Sequence, residues 1–102
     1  MRFEWDERKN ALNLAKHGIS FEEACLIFEG PVVSRTDDRT DYGEQREVSI
    51  GAIGDIVVVT VVHTDREGVI RLISARLANR RERRLYDEYI RQAAQGTRGS
   101  EG

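Results

Sequence analysis

The sequence predicts an α+β domain: two N-terminal helices, a four-stranded mainly antiparallel sheet and a C-terminal helix. Three observations predict it. Helix-cap signatures stand near both ends of the chain. The middle carries apolar, β-branched runs with strand periodicity. The connections between those runs are short, which favours antiparallel neighbours. At 102 residues, with 39% apolar and 33% charged residues, the chain suits one small core. One domain is expected over residues 1–94, with a flexible Gly/Ser-rich tail over 95–102.

Asp6 is a good N-cap for a first helix reaching about Lys16, where His17-Gly18 ends it. Ser20 and Glu23 form a capping box for a second helix over about Phe21 to Phe28, stopped by Gly30-Pro31. Phe21, Ala24, Cys25 and Phe28 share its apolar face. Val32 to Thr36 reads as an edge strand, and polar, acidic Thr36 to Glu44 as a loop. Glu47 to Ile53 alternates like a strand and Gly54-Asp55 is a turn pair. Ile56 to His63 is nearly all β-branched and suits a central strand. Thr64 to Gly68 reads as a five-residue hairpin loop and Val69 to Arg76 as the last strand. Asn79 and Glu82 then box the start of a helix running to about Ala94. Phe3 and Trp5 are expected to anchor the chain start on the core.

Composition excludes several function classes. The single cysteine, Cys25, cannot form an internal disulfide and reads as a small buried hydrophobe. No Cys/His set has zinc spacing, so no metal or other cofactor is expected. The N-terminus lacks the apolar core of a signal peptide. The longest apolar run, Ile56 to Val62, is too short to span a bilayer. A soluble cytoplasmic protein is the expectation. The net charge of −2 argues against a DNA-coating surface. That charge is unevenly spread. Residues 1–70 hold eight basic and fourteen acidic residues, and residues 71–102 hold eight basic and four acidic.

The basic excess concentrates between Arg71 and Tyr86. Guanidinium groups stay charged and present a planar fork of donors suited to phosphate or carboxylate. If His63 and Val69 close the hairpin as an opposed pair, Val61 faces Arg71. His63 and Arg71 then lie diagonally on one face, about 7–8 Å apart at the backbone. Arg76 falls on the other face unless the strand ends or bulges. An arginine inside an apolar strand needs an acid partner, such as Asp65 or Glu67, or a functional cleft. Each candidate also has a plainer explanation. His63 at a strand end suits a structural hydrogen bond, and Ser74 a small sheet residue. The arginines from Arg80 to Arg84 suit a solvated helix face with i,i+4 acids at Asp87 and Glu88. Lys16 and His17 suit a helix C-terminus.

The residues also carry a resemblance. Phe3-Glu4-Trp5-Asp6 with Lys9 and Asn13 is followed by the run from Lys16-His17-Gly18 to Ala24. Then come Glu44-Gln45-Arg46, Gly51, Val62-His63-Thr64, the run from Ile70-Arg71 to Arg76, and Arg80-Arg81-Glu82-Arg83 before Tyr86. In this order and spacing, over about residues 2–89, the chain resembles the BrnT toxins of bacterial type II toxin–antitoxin systems, which have a RelE-like ribonuclease fold. The resemblance implies a metal-independent endoribonuclease that cleaves mRNA and inhibits translation. It implies neutralisation by a cognate ribbon-helix-helix antitoxin, through which the complex reaches operator DNA. On this resemblance Arg71 and Arg76 hold the phosphate, His63 is the acid/base candidate and Tyr86 a second proton donor. Arg46, Arg80, Arg83, Lys16 and His17 guide the RNA backbone.

Two other classes compete. A non-catalytic binding module could dock an acidic partner on the same arginines. A DNA-binding regulator could use the last helix, but the acidic balance and the missing helix-turn-helix pattern weigh against it.

Overall fold

The computed structural model describes residues 1–37, 45–54 and 56–99, with side chains as far as residue 94. The chain runs β1 (Arg2–Glu4), α1 (Glu7–His17), α2 (Phe21–Ala24) continued by a 3-10 turn (Cys25–Glu29), β2 (Val32–Asp37), β3 (Arg46–Ile53), β4 (Val57–Arg66), β5 (Val69–Leu77) and α3 (Arg80–Gly99). The sheet has five strands in the order β1-β5-β4-β3-β2. Only the β1–β5 pair is parallel.

The α+β class and the strand meander agree with the sequence, and four details differ. The sheet gains β1, a three-residue strand too short to show periodicity. The second helix tightens into a 3-10 turn after Ala24. The hairpin loop shrinks from five residues to two, because Thr64-Asp65-Arg66 is polar yet paired in β4. Glu67 (φ 52°) and Gly68 (φ 81°) make that turn, and positive φ at both central residues matches the strand twist. The last helix continues past Ala94 to Gly99, where the tail was expected to begin. The remaining tail residues 100–102, Asp55 of the expected Gly54-Asp55 turn, and residues 38–44 of the expected acidic loop lie outside the described residues. Among the described residues, no helix is long and apolar enough to cross a membrane.

Capping fixes the helix starts. The Asp6 carboxylate accepts from the N–H groups of Arg8 and Lys9, and these bonds hold its pKa below the usual value. Gly18 ends α1 in the left-handed region at φ 74°. Ser20 and Glu23 form the reciprocal box of α2. Asn79 and Glu82 do the same for α3, through Glu82 N–H to Asn79 and Asn79 N–H to Glu82.

The two faces of the sheet bury different elements. Phe21, Ala24 and Ile27 pack with Val59, Val61, Ile70, Leu72 and Ala75 on one face. Phe21 and Ile27 are fully buried, and burial of a side chain of that size contributes about 2–3 kcal/mol. Phe3 packs against Phe28 with ring centroids 5.6 Å apart and Trp5 meets Phe21 edge-on at 6.1 Å, so the chain start is anchored as expected. The 3-10 turn presses directly on the β3 backbone. A Cβ at Gly51 would meet the Ile27 Cβ at 2.8 Å. On the other face, Tyr86 and Ile90 of α3 pack over Val33, Ile50, Ala52 and Val58.

Two buried asparagines, one helical turn apart on α1, join it to the rest. Asn10 accepts from Phe21 N–H and donates to Glu22. Asn13 donates to the carbonyls of Ile19 and Ala75 and accepts from Ala75 N–H. Pairing of β1 with β5 stops at Arg71, so the Asn13 amide takes the place of a neighbouring strand at Ala75. Its removal takes a partner from three backbone groups, the carbonyls of Ile19 and Ala75 and the Ala75 N–H. Asn13→Ala is expected to lower stability by about 2–3 kcal/mol in urea denaturation, whereas Leu12→Ala on the exposed side of α1 changes it by less than about 0.5 kcal/mol.

Candidate nucleic-acid interface

A β-bulge decides which charged groups share a face. Val62 pairs with Ser74, but the next residue, His63, pairs with Leu72. Ile73 is therefore the extra residue on β5. Without it, Arg71 and Arg76 would point to opposite faces, being five residues apart. With it, Arg71 pairs with Thr64 and Arg76 with Thr60, two residues on the same side of β4. The bulge considered for Arg76 is present, but it shifts the rest of the expected register. Val61 faces Ala75 rather than Arg71, and His63 faces Leu72.

His63 consequently sits on the opposite face from Arg71. It is 2% exposed and lies edge-on to Phe28 at 5.2 Å. Its Nδ1 meets Asp65 Oδ1 at 2.6 Å, its Nε2 meets Ser49 Oγ at 2.7 Å, and Ser49 Oγ meets Ser34 Oγ at 2.7 Å. This chain, buried at His63 and Ser49, ties β4, β3 and β2 together. The expected His63–Arg71 companionship is thus corrected: the strand alternation separates them, and Asp65 partners His63.

Arg71 has Glu4 as its acid partner, at 2.9 Å, with the two side chains 47% and 52% exposed. Register places Arg46 on the same face, paired with Asp37 and one residue beyond the Glu47–His63 pair, beside Thr64. A transverse row results: Asp37, Arg46, Thr64, Arg71 and Glu4. Strands stand about 4.8 Å apart, so the backbones of Arg46 and Arg71 flank Thr64 at a separation of about 10 Å. Two extended guanidinium side chains can close on one phosphate across that gap. A cleft of about 480 Å³ opens beside the row, lined by Arg2, Glu4, Thr64, Arg66, Glu67, Val69 and Arg71.

The other predicted residues lie elsewhere. Arg76 is about 13 Å along the strand from Arg71, four β4 residues away. It forms a two-pronged pair with Glu82, at 2.7 and 2.9 Å. Glu82 also accepts from Thr60 at 3.0 Å and is 12% exposed. The Arg76 guanidinium, with the Asn79 N–H and the Thr60 hydroxyl, outweighs burial and holds the Glu82 carboxyl at about 2. Tyr86, on α3, packs against the sheet, with its hydroxyl donating to the Pro31 carbonyl at 3.4 Å. Burial, then the nearby Asp87, raises its pKa. Arg80 and Arg83 line a shallow groove on α3 with Arg84 and Asp87. Lys16 and His17 close α1, which packs on the His63 side of the sheet. Cys25 is raised to about 11, chiefly by burial, so its thiol stays protonated at neutral pH. Among the described residues, no group of three or more His, Cys, Asp or Glu side chains is placed to hold a metal ion.

Sequence reasoning missed Arg2, Glu4, Thr64 and Arg66. The one available signal was the alternation Arg2-Phe3-Glu4, with a half-buried aromatic between two charges.

Residues 5–82 match the family model described as the ribonuclease toxin BrnT of type II toxin–antitoxin systems. The chain belongs to the BrnT toxin family. Its fold is similar to the 1.1 Å crystal structure of the Brucella abortus ribonuclease toxin BrnT, with a TM-score of 0.59 and 25% identity. That likeness covers 78% of this chain and 99% of the Brucella chain. No curated protein matches the chain significantly. The BrnT model ends at Glu82, so it takes in the transverse row from Arg46 to Arg71 and the Arg76–Glu82 pair.

The Glu82 shift carries a pH dependence. The folded state holds this carboxyl below its ordinary value of 4.5, so folding favours the ionised form. The associated stability is fully present above the unfolded value and is lost as pH falls from about 5 towards 2. Thermal melts across that window are expected to fall steeply for the native chain and less steeply for Glu82→Gln. At pH 7, the native chain should be the more stable of the two.

Proposed function

We propose that this BrnT-family chain is the toxin of a type II toxin–antitoxin system and acts as a RelE-like, metal-independent endoribonuclease on mRNA. The observation that carries the proposal is the transverse row, with Arg46 and Arg71 flanking Thr64 beside an open cleft. RNA brings its own nucleophile, the 2′-hydroxyl. The protein therefore has to orient the chain and stabilise charge on the pentacoordinate phosphorus. Arginines do both without a metal, because each guanidinium binds phosphate oxygens through two parallel N–H groups.

On this reading the roles are redistributed. Arg71 contacts the phosphate that reacts, and Arg46 approaches it from the other side of Thr64. Arg76 and Glu82 anchor α3 to the sheet, which positions Arg80 and Arg83 to take RNA backbone beyond the row. His63 serves as a buried brace through Asp65 and Ser49, and Tyr86 as a packing residue of α3. Lys16 and His17 lie on the opposite side of the sheet from the row and fall outside this RNA path. A ribbon-helix-helix antitoxin neutralises the toxin and carries the complex to operator DNA. The arginine row is a natural target for acidic side chains of that partner.

Purified protein incubated with single-stranded RNA, with and without EDTA, tests the proposal. Chelator-resistant cleavage is expected. Arg71→Ala and Arg46→Ala are each expected to slow cleavage by about 10²–10³, and Arg71→Ala should retain its melting temperature. Cleavage that disappears with EDTA would remove the metal-free mechanism. Tight RNA or protein binding without cleavage at any dose would favour the binding-module alternative.

A further inference from the structure

We infer that Glu4 accepts the 2′-hydroxyl proton in the cleft, with Arg2 and Arg66 holding RNA phosphates beside Arg71. The inference rests on the ribonuclease reading and adds the proton acceptor that this reading leaves unassigned.

His63 and Tyr86, the two proton-transfer candidates from the sequence, are buried away from the cleft. The cleft itself holds two carboxylates, Glu4 and Glu67, among three arginines. Glu67 stands on the tip of the hairpin at positive φ. Glu4 instead sits within β1, in register with Arg71, and its Oε2 lies 2.9 Å from Arg71 Nη1. A phosphate held by Arg71 therefore has a carboxylate within one residue's reach. The 2′-hydroxyl lies next to the phosphate it attacks, so base and charge stabiliser must be close together. Arg2 follows the alternation of β1 onto the same face, two residues from Glu4, and pairs with Val69 opposite Arg66. These arginines extend the positive surface along the strand axis. Residues about 6–7 Å apart there match the spacing of successive RNA phosphates.

The step balances as follows. The 2′-O–H bond breaks and its proton passes to the Glu4 carboxylate. The 2′-oxygen forms a bond to the adjacent phosphorus, and the bond from phosphorus to the 5′-oxygen breaks. The leaving 5′-oxygen takes a proton from water. Glu4 returns its proton to solvent. The products carry a 2′,3′-cyclic phosphate and a 5′-hydroxyl. Arg71 holds the negative charge that develops on the phosphoryl oxygens.

The alternative role for Glu4 is that of a surface ion pair. An exposed ion pair contributes little to stability, so Glu4 can be replaced without loss of the fold. It also makes the two roles separable. If Glu4 only faces Arg71, its removal frees a guanidinium and tightens RNA binding without slowing the chemistry. If it accepts the proton, the chemistry slows although binding holds.

The test uses the full chain and a short fluorescent single-stranded RNA. The native protein is measured first, because its failure to cleave overturns the ribonuclease reading and this inference with it. Given native cleavage, Glu4→Gln is expected to lower kcat at least about 100-fold, with KM unchanged or lower and melting temperature unchanged. Glu4→Asp recovers part of that loss. Arg2→Ala and Arg66→Ala raise KM and flatten the salt dependence of binding. Native cleavage should leave 2′,3′-cyclic ends. Glu4→Gln with kcat within about threefold of native overturns the assignment, whatever the effect on KM.

Discussion

One extra residue in β5 fixes the electrostatic layout of the molecule. A strand alternates its side chains, so two arginines five residues apart belong to opposite faces. Ile73 breaks that alternation and turns Arg71 and Arg76 to the same side. The consequence reaches past the two arginines. Leu72 and Ile70 still enter the core on the other face, and Ala75 still meets Asn13. The bulge thus lets one strand feed an apolar core at both ends while presenting both its cations to the opposite side. Bulges increase local twist as well.

Polar side chains add direction to the apolar packing that joins the helices to this frame. α1 exposes Leu12 and Leu14 and buries Asn10 and Asn13. The usual logic of an amphipathic helix is partly reversed there. The gain is directional: an amide that both donates and accepts fixes one position along β5, where an apolar contact could slide. The Arg76–Glu82 pair plays the same part for α3. Its carboxylate serves the helix cap, the β4 hydroxyl of Thr60 and the β5 guanidinium at once. Such a carboxylate is kept ionised by its donors, and burial that would otherwise be costly becomes tolerable.

Much of the fold was legible because its signals are local. Capping boxes at Ser20 and Asn79, the Gly18 stop and the β-branched run of β4 each speak through a few neighbouring residues. β1 was not legible, since three residues cannot display a period. The site was legible only in part, for a different reason. Residue type pointed to the arginines, but which of them meet is set by register, and register depended on a bulge with no local signature. His63 illustrates the gap. Its companion, Asp65, sits two residues away on the same strand, whereas the sequence suggested a partner across the hairpin. Arg71 illustrates the converse, because its partner Glu4 is 67 residues distant.

The alternation of charge across the sheet bears on how an acidic protein can handle RNA at all. With a net charge of −2, long-range attraction to a polyanion is weak. Binding must come from short-range contacts at a few cations that are already in place. Glu4 pairs with Arg71 at 2.9 Å and holds that guanidinium in place, so on the proposed function less side-chain entropy is lost when a phosphate arrives. On the same reading, the exposed Glu4 carboxylate repels phosphates that approach off-centre. An arginine row without flanking acids would bind RNA more tightly and with less discrimination. On the proposed function, a partner that presents carboxylates to the same guanidinium groups competes directly with RNA for them.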